Sequence, residues 1–218
     1  MGEISKSESV YDVTLRIISK MSNSLELSST KAMLSKLRNS IGHNESQTIE
    51  IWKEVFPELP ESFLSRDGNL TKEERSILTA LQLYAMHQQG KPKSVNLSFK
   101  LEDLKSNEEI KSKDDESKTK SIRYFNIGDS LSKLREAGES SSIDSRFNAM
   151  ITASSINEFT NHLRHLLSIF KSKEESKVNY AKLAEDLMWY QIGKQEQVRL
   201  LWGQGYYSKK KLSEKEEQ

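Results

Sequence analysis

The sequence predicts an all-α fold, two helical lobes joined by a flexible charged linker. Three observations carry that expectation. Apolar residues recur at the helical period through most of the chain. Two Thr/Ser-x-x-Glu boxes, Thr71 with Glu74 and Ser155 with Glu158, mark helix starts. No segment alternates convincingly as a strand, and the short run Val-Asn-Leu-Ser-Phe at 95–99 reads as an extended connection.

Met33, Leu34, Leu37 and Ile41 lie on one helix face, with Thr30 as candidate N-cap and Gly42 as the stop. Ile49, Trp52, Val55 and Phe56 make a second short face closed by Pro57, and 59–68 reads as a loop. After the Thr71 box, Ile77, Leu78, Leu81, Tyr84 and Ala85 form the stripe of a core helix. Gly90 and Pro92 end it, since proline cannot continue a helix. Ile127, Leu131 and Leu134 make a helix stopped by Gly138, and Ile143, Phe147, Met150 and Ile151 make another. The Ser155 box launches the longest stripe, Phe159, Leu163, Leu166, Leu167 and Phe170, before a charged loop at 171–177. Tyr180, Leu183, Ala184, Leu187 and Met188, then Val198, Leu201 and Trp202, complete the pattern.

The stretch 100–120 differs in kind. It is almost devoid of apolar residues, and such a segment cannot bury enough surface to offset the entropy of ordering it. It reads as a flexible insertion, with a solvated helix near 101–110 as the alternative. The expected division is an N-terminal lobe 1–99, an insertion 100–121, a C-terminal bundle 122–212 and a disordered tail 213–218.

Composition excludes several classes. The absence of cysteine rules out disulfides and thiolate metal sites and suits a reducing cytosol. No apolar run approaches the roughly 20 residues that cross a bilayer. A soluble cytoplasmic protein without membrane contact is expected. The formal charge of +1 conceals an asymmetry: 102–116 carries a net −4 and 213–218 a net −2, so the remainder carries +7. A basic folded part favours a polyanionic partner.

No catalytic constellation accompanies it, so no enzyme activity, cofactor or metal is expected. The nine glycines form no phosphate loop. His162 and His165 stand at metal-ligand spacing, but no third ligand is near and Arg164 between them repels a cation. Glu185 and Asp186 are adjacent on a helix and cannot face each other as an acid–base pair; a salt bridge or an interhelical hydrogen bond suits them better. The aromatic residues at 189, 190, 202, 206 and 207 have the chemistry to stack bases, though their helical spacing suits a core. What remains is a set of cations beside the apolar stripes: Lys36, Arg38, Lys91, Lys93, Arg146, Arg164, Lys194 and Arg199. Such side chains bind phosphate through charge-assisted bonds without reading sequence.

The order of these pieces resembles a known family. The matching residues are Ala32–Arg38, Trp52 with Pro57–Pro60, Leu81–Gln88, Ile127-Gly128 with Leu131 and Leu134, Arg146-Phe147, Leu163-Arg164 with Leu166-Leu167, Asp186-Leu187 with Trp189, and Val198-Arg199 with Trp202 and Tyr206-Tyr207. Together they are similar to the CasB-type small subunit of the type I-E CRISPR surveillance complex, Cascade. The resemblance implies a non-catalytic helical subunit, present as two copies beside the other Cascade subunits and the guide RNA complex. It also implies contacts that help hold the target DNA and the displaced strand. Arg38, Arg146, Arg164 and Arg199 match arginines of that pattern, whereas Lys36, Lys91, Lys93 and Lys194 follow from local charge. Asn39 and His165 stand where the family often has further basic residues, and the acidic stretch at 100–120 is a departure. The rival expectation is a helical protein–protein scaffold without nucleic-acid contact.

Overall fold

The computed structural model describes residues 8–42, 49–97, 124–136, 140–173 and 176–208. Among them are nine α-helices: α1 (Val10–Ser22), α2 (Ser28–Asn39), α3 (Ile49–Val55), α4 (Lys72–Gln88), α5 (Ile127–Glu136), α6 (Ser140–Ile151), α7 (Ile156–Lys171), α8 (Tyr180–Gln191) and α9 (Gln195–Tyr207). The all-α expectation holds. The insertion, the tail and Gly138 lie outside the described residues.

Helix α1 is absent from the elements predicted above. Its signals are nonetheless in the sequence: Val10, Val13, Ile17, Ile18 and Met21 form a buried stripe, and Ser9 with Asp12 makes a complete capping box. The Thr71–Glu74 box forms as expected, each side chain bonding the other's backbone N–H. At α7 only half of the box forms. Ser155 accepts from the Glu158 amide, but the Glu158 carboxylate accepts from the Ser154 N–H and hydroxyl instead. Thr30 is not an N-cap: α2 begins two residues earlier, and Thr30 is buried with its hydroxyl 2.8 Å from Ser24 Oγ. The predicted loop at 59–68 contains a 3-10 turn, Glu61–Phe63, whose Phe63 enters the core.

Helices from both sides of the undescribed insertion share one apolar core, which runs from Val10 to Tyr206. Helices from the two sides meet across α8, which packs on α1 and α4 and then turns into α9. The run at 95–97 is the expected extended connection. It pairs with Val178 (Leu97 N–H to Val178 O, 2.9 Å; Val178 N–H to Val95 O, 3.0 Å) and so ties the segment after α4 to the start of α8. Below this tie His87 is fully buried, its ring nitrogens 2.8 Å from Tyr180 Oη and Ser176 Oγ.

On the C-terminal side α5 lies along α9 at backbone contact. A Cβ on Gly128 would fall 2.0 Å from the Trp202 carbonyl oxygen, and one on Gly205 would fall 2.8 Å from Asn126 Oδ1. Only glycine fits at these two positions. The resulting approach lets Asn126 bond Leu201 O at 3.1 Å and the Gly128 N–H at 2.8 Å.

Candidate nucleic-acid interface

Helix α7 has two unlike faces. Phe159, Leu163, Leu166, Leu167 and Phe170 are buried in the core. The other face carries Asn157, Asn161, Arg164 and Lys171. The spacing of seven between Arg164 and Lys171 is nearly two turns, so both project from the same side. Helix α4 runs beside α7 in the same direction. Arg75, Thr79 and Gln82 of α4 face Asn157, Asn161 and Arg164 across a cleft of about 390 Å³, closed at one end by Ser40 to Gly42.

Beyond this closed end the C-termini of α2, α4 and α7 converge, and cations gather there. Burial lowers the pKa of Lys171, and the nearby charges of Arg38 and Lys91 lower it further. Lys171 Nζ donates to Gln89 Oε1 at 3.1 Å and Lys91 Nζ to Lys173 O at 3.0 Å, both neutral acceptors. Among the described residues none of Arg38, Lys91, Lys171 or Arg164 has an acidic partner. The last-turn positions of Arg38 and Lys171 suit the negative end of their helix dipoles, which helps three like charges to coexist. Their repulsion also reaches the core: burial first, then Lys91 and Lys171, push His87 down to about 4.

The structure sorts the predicted cations. Arg38 and Lys91 gather at Lys171, Arg164 lies seven residues back along α7 at the cleft, and Lys93 is exposed two residues beyond Lys91. Lys36 lies near Arg38 but pairs with Glu50 at 3.3 Å. Arg146 is exposed on α6. Lys194 sits over the Trp189 ring, 4.7 Å from its centroid. Arg199 is turned inward: it donates to Glu196 Oε1 and Ala153 O at 2.7 Å and to Tyr190 Oη at 3.4 Å, fastening α9 to the α6–α7 connection. Lys171, Arg75 and Gln82 are absent from the predicted set. The spacing of Lys171 from Arg164 is the signal available for one of them; the other two face α7 only once α4 packs.

The other candidates resolve as structural parts. Asp186 accepts from Trp202 Nε1 at 2.7 Å and, with Glu185, from Lys182 at 2.8 Å. Burial raises the Asp186 pKa against the pull of Lys182 and Trp202. Tyr190, Trp202 and Tyr206 are buried, Phe159 packing between Tyr190 and Trp202 and Phe147 stacking on Tyr206. Leu201, assigned above to an apolar face, is 38% exposed, and its neighbour Leu200 is 62% exposed. His162 lies 3.9 Å from Glu158, and the described residues contain no group of three metal-ligating side chains.

The family model described as CRISPR-associated protein Cse2 matches residues 33–207, four-fifths of the chain. The chain belongs to the Cse2 family. No curated protein matches it. Among solved structures, CasB from Thermobifida fusca is 17% identical with a TM-score of 0.64, the match covering 91% of this Cse2 chain and 98% of the relative. A Cse2-family CRISPR-associated protein from Thermus thermophilus is 15% identical with a TM-score of 0.58, covering 89% and 97%. CasB from M. ruber is 16% identical with a TM-score of 0.55, covering 91% and 93%. These likenesses extend the shared fold over nearly the whole relative. The chain is thus a CasB/Cse2-type subunit of a CRISPR complex, and all eight predicted cations fall within the family match. No helix among the described residues is long and apolar enough to cross a membrane.

Proposed function

We propose that this chain is a non-catalytic subunit of a type I-E Cascade ribonucleoprotein that grips nucleic-acid backbone without reading sequence and thereby stabilises the R-loop. Its partners on this reading are the other Cascade subunits, a second copy of itself, the guide RNA complex, the target DNA and the displaced strand. The observation that carries it is the row Arg164, Arg38, Lys171 and Lys91, four cations on one side with no acidic partner among the described residues. Replacing a DNA duplex by an RNA–DNA hybrid is nearly balanced, so a few backbone contacts are enough to tip it. Those contacts must accept every sequence, which lysine and arginine do. The exposed Lys93, Arg146 and Lys194, and the half-exposed Lys36 that pairs with Glu50, are secondary contacts on this reading. Arg199 drops out because its guanidinium is engaged inside the fold.

The test is DNA opening by the reconstituted complex carrying Arg38→Ala, Arg164→Ala and Lys171→Ala together, compared with wild type across salt. Removing one cation from a phosphate lowers the salt slope by about one unit, so the deficit is expected to be largest at low salt and to narrow as salt rises. Unchanged opening with the subunit still incorporated would overturn the reading. The exposed Leu200 and Leu201 of α9 favour a second reading, a helical adaptor without nucleic-acid contact. Association through such a surface would be nearly insensitive to salt.

A further inference from the structure

The cleft between α4 and α7 has a chemistry that a phosphate grip does not need. Its floor is apolar, from Leu78, Leu83 and Ile41, while Gln82, Asn157 and Asn161 bring three carboxamides to its walls. Gln82 is held in place: its Nε2 donates to Ser40 Oγ at 2.8 Å, and Ser40 Oγ donates to Leu37 O at 2.8 Å, so the amide orientation is set by the end of α2. Asn157 and Asn161 are one turn apart on α7. Arg75 and Arg164 stand at opposite walls. At about 390 Å³ the space falls within the range of small-molecule sites and far exceeds the ~30 Å³ of one water.

We propose that this cleft receives one unpaired base of a nucleic-acid strand whose phosphates follow Arg164, Arg38 and Lys171; the proposal rests on the backbone-binding reading above. Side-chain amides carry a donor and an acceptor together, which matches the edge of a base and does not match a phosphate, since half of each amide is an acceptor. Guanidinium planes offer a stacking surface to unpaired bases, and Arg164 borders both the cleft and the cationic row. Gln82 is fixed, but the amides of the exposed Asn157 and Asn161 can turn to meet more than one base edge, so the site selects for the presence of a base over its identity. A base seated here leaves the stack, so the bound strand is single-stranded at that position.

The test compares binding of the full chain to a short oligothymidylate and to an abasic strand of equal length and charge, over a salt series. Wild type is expected to bind the base-bearing strand about fivefold or more tightly, the low end of what one stacked base contributes, with equal salt slopes for the two strands. Thr79→Trp, which fills the cleft, should bring the ratio near one without changing the slope. Asn161→Ala, an exposed position that leaves the core intact, should lower the ratio part-way and decides the matter if the larger substitution unfolds the chain. Equal affinity of wild type for both strands would overturn the base site while leaving the backbone grip standing. A ratio that survives in both variants would overturn the location. Binding of neither strand at low salt would overturn both readings together.

Discussion

The α4–α7 face and the α8–α9 corner are built from the same residue types and treat charge in opposite ways. On the α4–α7 face and the adjoining end of α2, Arg164, Lys171 and Arg38 lie beside apolar stripes, and no acid among the described residues answers them. At the α8–α9 corner Lys182, whose side chain is 7% exposed, bridges Glu185 and Asp186, Asp186 holds Trp202, and Arg199 fastens Ala153 and Tyr190. The first region gathers like charges at the surface, and their repulsion is felt by Lys171 and His87. The second uses charge as an internal brace, and a buried charge without its partner is costly. A cation beside an apolar stripe is therefore not by itself a contact residue; the nearest acid and the depth of burial decide.

Breaking the corner should give the largest effects. Trp202→Ala removes a fully buried side chain and orphans the Asp186 carboxylate, and should cost about 3–5 kcal/mol in denaturant unfolding. Lys182→Ala should cost a similar ~3–5 kcal/mol by leaving Asp186 buried without its cation. If either costs less than about 1 kcal/mol, the corner is not a brace.

The seam between the cationic row and the core should respond to pH. His87 has a folded pKa of about 4 against an ordinary value of 6.5. As pH falls the unfolded chain takes up the proton first, so this group's contribution is complete above about 6.5 and is lost as pH falls toward 4. The total is about 3 kcal/mol, the gap between the folded and ordinary values taken at about 1.4 kcal/mol per pH unit. Unfolding free energy measured from about pH 7 to pH 4 should show this decline in wild type and a shallower one in His87→Gln; parallel curves would remove His87 as the cause.

A pair of arginine substitutions sharpens the contrast further. Arg199→Ala should cost about 1–3 kcal/mol, because Ala153 O and Tyr190 Oη lose a charged donor, and should leave the salt dependence of nucleic-acid binding unchanged. Arg164→Ala should do the reverse: a stability change within about 0.5 kcal/mol, with a salt slope lower by about one. Identical behaviour of the two variants in both assays would erase the distinction between the regions.

Much of the fold is legible in the sequence because its signals are local. The stripes Ile77–Ala85 and Phe159–Phe170 follow from periodicity, and both Leu166 and Leu167 are fully buried, as the longest stripe implies. The Thr71 capping box needs only residues three apart. Helix α1 is equally local in its signals, yet it is missing from the predicted elements. The errors have a different origin. Thr30 has the chemistry of a cap, yet Ser24 occupies its hydroxyl inside the α1–α2 turn. Leu201 has the right period for the core, but the face of α9 that packs inward is centred on Val198, Trp202, Gly205 and Tyr206, which leaves Leu200 and Leu201 outward.

The sequence by itself determined that the described chain is helical, where most helices start and stop, and that its foldable part is basic. These depend on backbone geometry and on neighbours within about four residues. Which cations lack an acidic partner among the described residues was decided by tertiary structure alone. Arg164 and Arg199 both sit beside an apolar stripe and both match the family pattern, but one borders an open cleft and the other meets a carbonyl 46 residues away in sequence. No local pattern encodes that difference, because the electrostatic environment of a side chain is set by groups that only folding brings within a few ångströms.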